Sequence, residues 1–293
     1  VMEIRTLRYF MAIAREENMT RAAETLHVTQ PALSRQMQAL EAELGKKLFR
    51  RHSFSIELTE EGMLLRRRAE DLLSMADKIT LEFSAMDDII GGNIYFGCAE
   101  SFQIRHLARA IRRFKMKYPD FHYHITSGDT EQVTEKLDKG LLDFAVIVEE
   151  PDYEKYFVLQ MPEGDRWGLV MPDNCALAQK QQIRLEDLRG LPLFCSEQGW
   201  HADLPRWCGG NMDGLHLEGS FRLAYNGAVF AREGLGYLLT FDHLVDTGPE
   251  SGLVFRPLDP PLESSMYIIW KKQQVFTPIA ERFIAELQNN FRT

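Results

Sequence analysis

Residues 22–37 read AAETLHVTQPALSRQM, and this stretch decides the fold of the N-terminal part of the chain. Ala22 and Ala23 lie in a short predicted helix, where their small side chains let another helix cross closely. The chain then turns at residues 27–28, and Pro31 falls in the first turn of the next predicted helix, where its missing N–H costs no hydrogen bond. The stretch therefore predicts two helices joined by a tight turn.

The helix that follows this turn has two chemically different faces. An apolar stripe at helical spacing is expected to be buried and consists of Leu33, Met37, Leu40 and Leu44. The other side carries Pro31, Ser34, Arg35 and Gln38. Ser, Arg and Gln side chains can read base edges or hold phosphate, and a helix, turn and helix is a DNA-reading geometry. A solvated amphipathic helix with no ligand is the alternative that this pattern alone leaves open.

The flanking residues complete a small helical unit. A preceding helix is predicted from the apolar spacing of Leu7, Phe10, Met11 and Ala14. Asn18 to Thr20 is expected to cap the short helix, Thr29 or Gln30 the reading helix, and Gly45 is expected to end the latter.

The run from residue 4 to residue 62 closely resembles the winged helix-turn-helix of LysR-type transcriptional regulators. Beyond residues 22–37, the resemblance rests on Leu40-Glu41, Leu44-Gly45, Leu48-Phe49, Leu58-Thr59 and Gly62. It implies double-stranded DNA as a partner. The residues that it assigns to DNA are Thr29, Gln30, Pro31, Ser34, Arg35 and Gln38, with Arg50 and Arg51 at the start of the wing.

The wing departs from the family at one position. The family usually has a further basic residue near the wing tip, where this chain has Phe54. An electrostatic contact of the wing with the minor groove is therefore less well supported, and Phe54 would pack against sugar or close the hairpin.

Charge is unevenly distributed along the chain. The total formal charge is −9, which by itself argues against a nucleic-acid partner. Residues 1–58 carry nine Lys and Arg against seven Asp and Glu, a net charge of +2, whereas residues 59–293 have a net charge of −11. We therefore expect only the N-terminal part to approach DNA.

An apolar or small residue recurs every three or four positions from Leu58 to Ile90, which is a heptad pattern. It predicts a linker helix over residues 59–90, about 48 Å long. We expect this helix to form a homodimer that presents two reading helices to inverted half-sites, with a homotetramer as the further assembly. Packing of the stripe against the chain's own body is the alternative. The predicted dimerisation residues are Leu65, Leu72, Ile79, Phe83 and Met86.

After Gly91-Gly92 the pattern changes to alternating strands and helices. Strands are predicted at 94–99, 121–127, 142–148, 166–171, 192–196, 221–225, 236–240 and 265–270, and helices at 102–117, 130–139, 226–232 and 277–291. This order predicts an α/β fold with parallel sheets covered by helices. Two lobes are expected, lobe I at about 91–162 and 265–293 and lobe II at about 163–264, with crossovers near Pro162 and Ser264.

This order, together with residues 140–145 (GLLDFA), resembles the effector-binding domain of the same regulators, which is built like a periplasmic solute-binding protein. The predicted domains are thus a winged helix-turn-helix at 1–58, the linker helix at 59–90 and an effector-binding domain at 91–293. The resemblance implies a small-molecule effector that shifts the arrangement of the lobes and, through the paired chains, the DNA-reading units. RNA polymerase is a further expected partner.

Effectors in such folds lie at the carboxyl ends of strands and beside helix N-termini. That placement favours Ser101, Thr130 and Asn226, for which helix capping alone is an equal alternative. By position only, Glu149, Ser196, Trp200 and His201 are further candidates. Because helix N-termini attract anions, a carboxylate or phosphate on the effector is the accompanying hypothesis.

Composition and the absence of recognisable motifs argue against a membrane protein, an exported protein, an enzyme and a metalloprotein. Hydrophobic residues make up 45% and charged residues 26%, which is typical of a globular chain, and neither a signal peptide nor a spanning segment is recognised, so a cytoplasmic protein is expected. The four cysteines predict reduced thiols, although Cys195 and Cys208 resemble the redox pair of peroxide-sensing relatives. With no catalytic, cofactor or metal motif, we expect no enzyme, no cofactor and no metal site. A solute-binding protein or an α/β enzyme without DNA binding is the alternative.

Overall fold

The computed structural model describes residues 2–52, 55–84 and 91–291, and the chain forms two compact units that divide between residues 87 and 88. None of the described helices is long and apolar enough to cross a membrane. The elements of the first unit are α1 (Ile4–Glu16), α2 (Met19–Thr25), α3 (Gln30–Leu44), β1 (Phe49–Arg51), β2 (Ile56–Leu58) and α4 (Glu60–Ser84).

The first unit is a three-helix core followed by a two-stranded wing. Leu33 and Met37 of α3 are almost fully buried in the same apolar cluster as Ala22 and Ala23 of α2. The cap of α2 is confirmed, because the Asn18 side chain accepts hydrogen bonds from the backbone amides of residues 20 and 21 at 2.9 and 3.0 Å. α3 begins after Thr29, whose side chain makes no cap hydrogen bond, and ends at Gly45 with φ 66°, as expected.

One position of the predicted buried stripe is wrong. Leu44 is 40% exposed, whereas Glu41 is 9% exposed. The last turn of α3 extends past the apolar core, and Glu41 faces inward because its carboxylate has backbone partners there. It accepts hydrogen bonds from the amides of Leu48 (2.9 Å) and Phe49 (3.4 Å) and from Lys47 Nζ (2.7 Å). Glu41 therefore ties the end of α3 to the first strand of the wing.

The start of α4 is held against the two residues that precede β1. Thr59 Oγ1 donates to the carbonyl of Lys47 at 2.7 Å and accepts from the amide of Gly62 at 3.0 Å. A Cβ at Gly62 would lie 2.2 Å from the carbonyl oxygen of Leu48, so only glycine permits this approach. Of the predicted linker helix over 59–90, α4 accounts for residues 60–84, and residues 85–90 lie outside the described part.

The second unit contains two sheets. Its elements are β3 (Gly92–Cys98), α5 (Ile104–Lys117), β4 (Phe121–Ser127), α6 (Thr130–Asp138), β5 (Phe144–Ile147), β6 (Tyr156–Gln160), β7 (Asp165–Pro172), α7 (Leu185–Leu188), β8 (Pro192–Cys195), α8 (Leu204–Trp207), β9 (His216–Ser220), α9 (Ala224–Arg232), β10 (Tyr237–Phe241), β11 (Leu253–Pro257), β12 (Glu263–Ser264), β13 (Tyr267–Lys271) and α10 (Pro278–Asn290). One sheet has the order β4-β3-β5-β13-β6 and the other β11-β7-β10-β8-β9, with β12 beside β7.

The α/β fold class is confirmed, but the expectation of purely parallel sheets is wrong. In the first sheet β3 pairs in parallel with β4 and β5, whereas β13 is antiparallel to both of its neighbours. In the second sheet β7 is antiparallel to β10, β11 and β12. These antiparallel strands adjoin the crossovers: β7 and β12 enter or leave the second sheet there, and β13 is the strand on which the chain returns to the first.

Three strands of the second unit were missed and one was misplaced. β6, β11 and β12 have no predicted counterpart, and the predicted strand at 221–225 is wrong because these residues form the turn into α9 and its first two residues. The true strand, β9, is an edge strand with exposed residues at alternate positions, so it lacks the apolar signal. Phe221 instead packs against Phe194 and Phe230, with ring centroids 5.3 and 5.2 Å apart.

The chain passes between the two sheets at residues 161–164 and again at residues 265–266. These crossovers lie side by side, because the amide of Met161 donates to the carbonyl of Met266 at 2.8 Å. A Cβ at Gly164 would lie 2.9 Å from the carbonyl oxygen of Ser264, so the two backbones are also in contact one step further along. The two crossovers therefore form a paired connection between the sheets.

We predict that Glu41→Gln lowers the free energy of unfolding of the first unit by about 1–3 kcal/mol, because buried amides lose a charged acceptor. Burial raises the pKa of Glu41, but the hydrogen bonds from Lys47 and the two backbone amides outweigh it, so the pKa is lowered overall. The stabilisation is therefore present above the pKa of the unfolded chain and is lost as the pH falls through the folded-state pKa.

Hydrogen exchange of the amides of residues 48 and 49, followed by mass spectrometry between pH 3 and pH 7, measures this effect. Glu24→Gln is the matched control, because Glu24 is exposed on α2. Equal protection in the wild-type chain and both variants would contradict the role of Glu41.

Candidate functional site

The polar face of α3 is open to solvent over most of its length. Ser34 is half-buried, and the remaining sequence-predicted residues of this face are exposed, namely Thr29, Gln30, Pro31, Arg35 and Gln38. The face is exposed because the opposite side of the helix is held in the core by Leu33, Met37 and Leu40. The structure thus brings the predicted α3 residues together on one surface.

Arg35 lies along this surface. Its Nε donates to the backbone carbonyl of Pro31, one turn earlier in the helix, at 3.3 Å. Within the described residues its two Nη groups form no ion pair with a carboxylate, so the outer edge of the guanidinium is available. A guanidinium edge presents two parallel N–H donors, which match the O6 and N7 acceptors of guanine or two phosphate oxygens.

Among the residues that the structure describes, the wing contributes one arginine side chain to the candidate DNA-binding surface. Arg50 is exposed, and the backbones of Arg50 and Arg51 pair across the hairpin with those of Glu57 and Ile56. The side chain of Arg51 and the whole of Phe54 lie outside the described residues.

The predicted dimerisation residues of α4 fall into two groups. Leu65 is half-buried and packs against the core of the first unit, next to the fully buried Ala69. Leu72, Ile79 and Phe83 are 46%, 46% and 67% exposed. Met86 lies outside the described residues. The stripe therefore serves the chain's own core at its N-terminal end and is open further along.

A cavity of about 370 Å³ lies between the two sheets of the second unit. It is bordered by the loops that follow β3, β4 and β5 on one side and by the segments after β8 and β9 on the other, so it occupies the carboxyl ends of parallel strands. Its walls combine apolar and charged side chains. This volume is that of a site for a small molecule.

The cavity includes only part of the sequence-predicted set. Thr130, Glu149, Ser196 and His201 line it. Ser101, Trp200 and Asn226 do not line it.

Ser101 is buried and occupied elsewhere, because its hydroxyl donates to Asp165 at the start of β7 and accepts from the amide of Gln103 at 2.9 Å. Trp200 packs against the apolar core of the second sheet. Asn226 is exposed on the third residue of α9. Neither Thr130 nor Asn226 is an N-cap, because Asp129 precedes α6 and Leu223 precedes α9.

Charged residues that sequence reasoning missed also line the cavity. They are Glu100, Asp129, Glu131, Glu197 and Arg222. Three of them directly adjoin the predicted Ser101 and Thr130 in the sequence, so acidic residues beside a predicted helix start were the available signal.

Two contacts join the walls of the cavity. Glu100, after β3, accepts a hydrogen bond from the amide of Ala224, the first residue of α9, at 2.7 Å. Arg222 Nη1 lies 3.1 Å from Asp129 Oδ2. Both contacts link the first sheet to the second through carboxylates that border the cavity.

Burial raises the pKa of two of the carboxylates that line the cavity. Desolvation raises the pKa of Glu149, and the neighbouring charges of Asp203, Asp129 and Glu131 raise it further. Desolvation also raises the pKa of Glu100, although the hydrogen bond from Ala224 opposes the shift. The wall around Glu149 is therefore rich in negative charge.

Cys195 and Cys208 lie in environments that disfavour the thiolate form of the side chain. Cys195 is fully buried, and desolvation raises the pKa of its thiol far above the usual value. A Cβ at Gly199 would lie 2.9 Å from its sulfur, which shows how closely the backbone covers it. Burial also raises the pKa of Cys208. The thiolate is the reactive form, so both residues are poor nucleophiles.

Comparison with known families agrees with this arrangement. The family described as bacterial regulatory helix-turn-helix protein, lysR family, matches residues 4–63, and the LysR substrate binding domain matches residues 90–292. The chain belongs to the LysR family of transcriptional regulators. Among the described residues of this LysR-family chain, no group of His, Cys, Asp and Glu could hold a metal ion.

Two similar proteins are described as probable RuBisCO transcriptional regulators. The protein of Gracilaria tenuistipitata var. liui is 30% identical over 184 residues, and that of Synechocystis sp. (strain ATCC 27184 / PCC 6803 / Kazusa) is 33% identical over 185 residues. Each alignment covers 62% of this chain, but only 60% and 53% of the respective relative.

Solved structures show the same fold. The crystal structure of CbnR, a LysR family transcriptional regulator, matches with a TM-score of 0.77 at 22% identity over 100% of both chains. A second structure, of full-length CbnR complexed with the target DNA, matches with a TM-score of 0.75 at 22% identity over 99% of this chain and 100% of that chain.

We predict that Cys195 in the native protein reacts with iodoacetamide at neutral pH at least about 100-fold more slowly than in the urea-unfolded chain, because the thiol is buried and protonated. Peptide mapping by mass spectrometry measures both rates, and the half-buried Cys175 is an internal comparison. Equal rates, or a disulfide between Cys195 and Cys208 after peroxide treatment, would contradict the assignment of both thiols as packing residues.

Proposed function

We propose that this chain is a sequence-specific DNA-binding transcriptional regulator whose activity is controlled by a small molecule bound between the two lobes. The observation that carries the proposal is the exposed face of α3, where Gln30, Arg35 and Gln38 extend from a helix whose other side is buried. In helix-turn-helix proteins the second helix of the motif enters the major groove, and such side chains contact base edges.

The similarity to CbnR supports this role. CbnR has been crystallised in complex with its target DNA, and its full chain shares the fold described here. By analogy, we assign direct base contacts to the exposed residues of α3 and phosphate contacts to Arg50 and Arg51 of the wing. The net charge of +2 in residues 1–58, within a chain of −9, is consistent with an approach to DNA through this part alone.

We further propose that the protein is a homodimer through α4, with a tetramer as the assembled form. A helix that leaves Leu72, Ile79 and Phe83 at least 46% exposed gains stability when a second copy covers them. Two-fold pairing would present two reading helices to a palindromic operator. RNA polymerase is a proposed contact of the DNA-bound assembly.

Control by an effector follows from the cavity. The contacts of Glu100 with Ala224 and of Asp129 with Arg222 bridge the lobes at its edge. A ligand that binds one lobe arrangement more tightly shifts the population toward it by its difference in affinity. The dimer then transmits this shift to DNA. A regulator needs no catalytic residue, so we propose none.

Arg35→Ala is expected to weaken specific DNA binding by about 1–3 kcal/mol and to relax the base preference at one operator position, if Arg35 reads a base edge. Operators are selected from a random oligonucleotide pool, and gel-shift titrations at several salt concentrations then give the affinities. Arg50→Ala is expected to weaken binding to all sequences alike and to reduce the salt slope by about one.

Arg66→Ala is the matched control, because Arg66 is exposed on α4 and pairs with Glu70 at 3.2 Å. It should bind like the wild-type chain. A protein that selects no sequence even at low salt would rule out the regulator assignment.

Ile79→Glu or Phe83→Glu is expected to raise the dimer dissociation constant on the order of 100-fold, because a charge would be placed in an apolar helix interface. Analytical ultracentrifugation of the full chain measures the change. Met63→Glu is the control: Met63 is 57% exposed on the same helix, and at helical geometry it lies about 160° around the axis from Ile79. If Met63→Glu dissociates the protein and the other variants do not, α4 pairs through another face.

A further inference from the structure

Negatively charged side chains outnumber positively charged ones around the cavity. Five carboxylate side chains line it, against the single guanidinium of Arg222 and one imidazole, that of His201. The carboxylates are those of Glu100, Asp129, Glu131, Glu149 and Glu197. The cavity is therefore strongly negative, and an anion entering it would be repelled.

Two of the helix N-termini at the cavity, those of α6 and α9, are already occupied by the chain's own carboxylates. Asp129 Oδ1 accepts from the amide of Gln132 at 2.9 Å in a capping box at the start of α6, and Glu131 lies in the same first turn. The first amide of α9, that of Ala224, donates to Glu100 at 2.7 Å. At each of these two N-termini, an amide that an anionic effector would use is thus already bonded.

The positive side chain of the cavity is likewise occupied. Arg222 lies 3.1 Å from Asp129, and His201 Nε2 lies 3.3 Å from Glu197. Glu131 and Glu149 remain, and neither carboxylate forms a hydrogen bond or ion pair within the part of the chain that the structure describes. They are negative groups that the protein itself leaves uncompensated.

A buried hydroxyl provides an independent indication of a ligand. Thr130 is 7% exposed and lines the cavity, yet among the described residues its Oγ1 has no hydrogen-bond partner. Buried polar atoms without a partner are rare and costly, so this oxygen is suited to accept a proton donor from a bound molecule.

The remaining walls favour an organic ligand over a metal ion. Apolar side chains, including Val148, Phe221 and Leu244, line the cavity. In residues 2–52, 55–84 and 91–291 no cluster of His, Cys, Asp and Glu has the arrangement of a metal site. Aromatic walls also stabilise a nearby cation through the ring quadrupole.

We infer that the effector is a small organic cation, an amine or a guanidinium compound with an apolar body, whose N–H groups bind Glu149, Glu131 and Thr130. The inference rests on the proposed function, since it names the ligand class of the same cavity. It replaces the hypothesis of an anionic effector, which rested on helix N-termini alone. The positive group neutralises the uncompensated carboxylates, and the apolar body occupies the opposite wall.

Charge-matched probes test this inference on the full chain. Two series share an apolar body and differ only in the head group: benzylamine, benzyl alcohol and benzoate, and pentylamine, pentanol and pentanoate. In isothermal titration calorimetry at neutral pH, we expect both amines to bind at least about tenfold more tightly than their alcohols, and both carboxylates not to bind at about 10 mM.

Substitutions of residues inside and outside the cavity test where the amines bind. Glu149→Gln is expected to weaken amine binding about tenfold, whereas Glu154→Gln, at an exposed position outside the cavity, should leave it unchanged. Thr130→Val is expected to weaken it severalfold without lowering the melting temperature of the free protein, because Oγ1 has no partner to lose.

Three outcomes would overturn the inference: tighter binding of the carboxylates, no binding of either amine at about 10 mM, or equal losses in Glu149→Gln and Glu154→Gln. DNA binding of the same preparation is measured in parallel by gel shift. If the wild-type chain binds DNA sequence-specifically but does not bind the amines, only the proposed ligand class is wrong. If the wild-type chain selects no DNA sequence, the proposed function itself is wrong.

Discussion

The burial of Leu33, Met37 and Leu40 against the first two helices is the constraint on which the DNA-reading surface depends. A helix of this length is marginal in water by itself, so tertiary packing and not propensity fixes both its existence and its rotation. Once the apolar side is held, the side chains on the opposite side must face outward. Glu41 then joins the end of this helix to the wing, so that reading helix and wing belong to one rigid body.

In the second unit the comparable constraint is the pair of adjacent crossovers. Because both run side by side, with Met161 bonded to Met266, the two sheets are connected along one edge and their strand ends face a common cavity. The cavity is thus a consequence of topology. The chemistry of the cavity does not follow from topology, because the fold accepts many different side chains at the lining positions. The side chains that this chain places there select the ligand. In this chain the N-termini of α6 and α9 carry carboxylates of the chain itself, which opposes the preference for an anion that helix N-termini alone would suggest.

Strongly patterned elements were predictable and weakly patterned ones were not. The strand Phe121–Ser127 and the helices around it follow from apolar spacing over short distances, so their limits agreed closely with the sequence. His216–Ser220 is an edge strand without an apolar pattern, and its neighbour Phe221 resembles a strand residue only because it fills a gap in an aromatic cluster. Leu44 fits the helical spacing of the apolar stripe, but it is exposed because the hydrophobic core ends before the last turn of the helix.

The sequence by itself determined the α/β class of the second unit, the polar and apolar sides of the reading helix and the family, because each of these depends on residues that are close together along the chain. Tertiary structure alone decided the direction of the returning strands, the burial of Glu41 and the composition of the cavity wall. Glu100, Asp129, Glu149 and Arg222 come from distant parts of the chain, and their charges acquire meaning only when the fold brings them within reach of one another. The sequence shows which charged side chains are present. The sign of the electrostatic field in the cavity depends on which of these side chains lie close together in the fold and which are already in ion pairs.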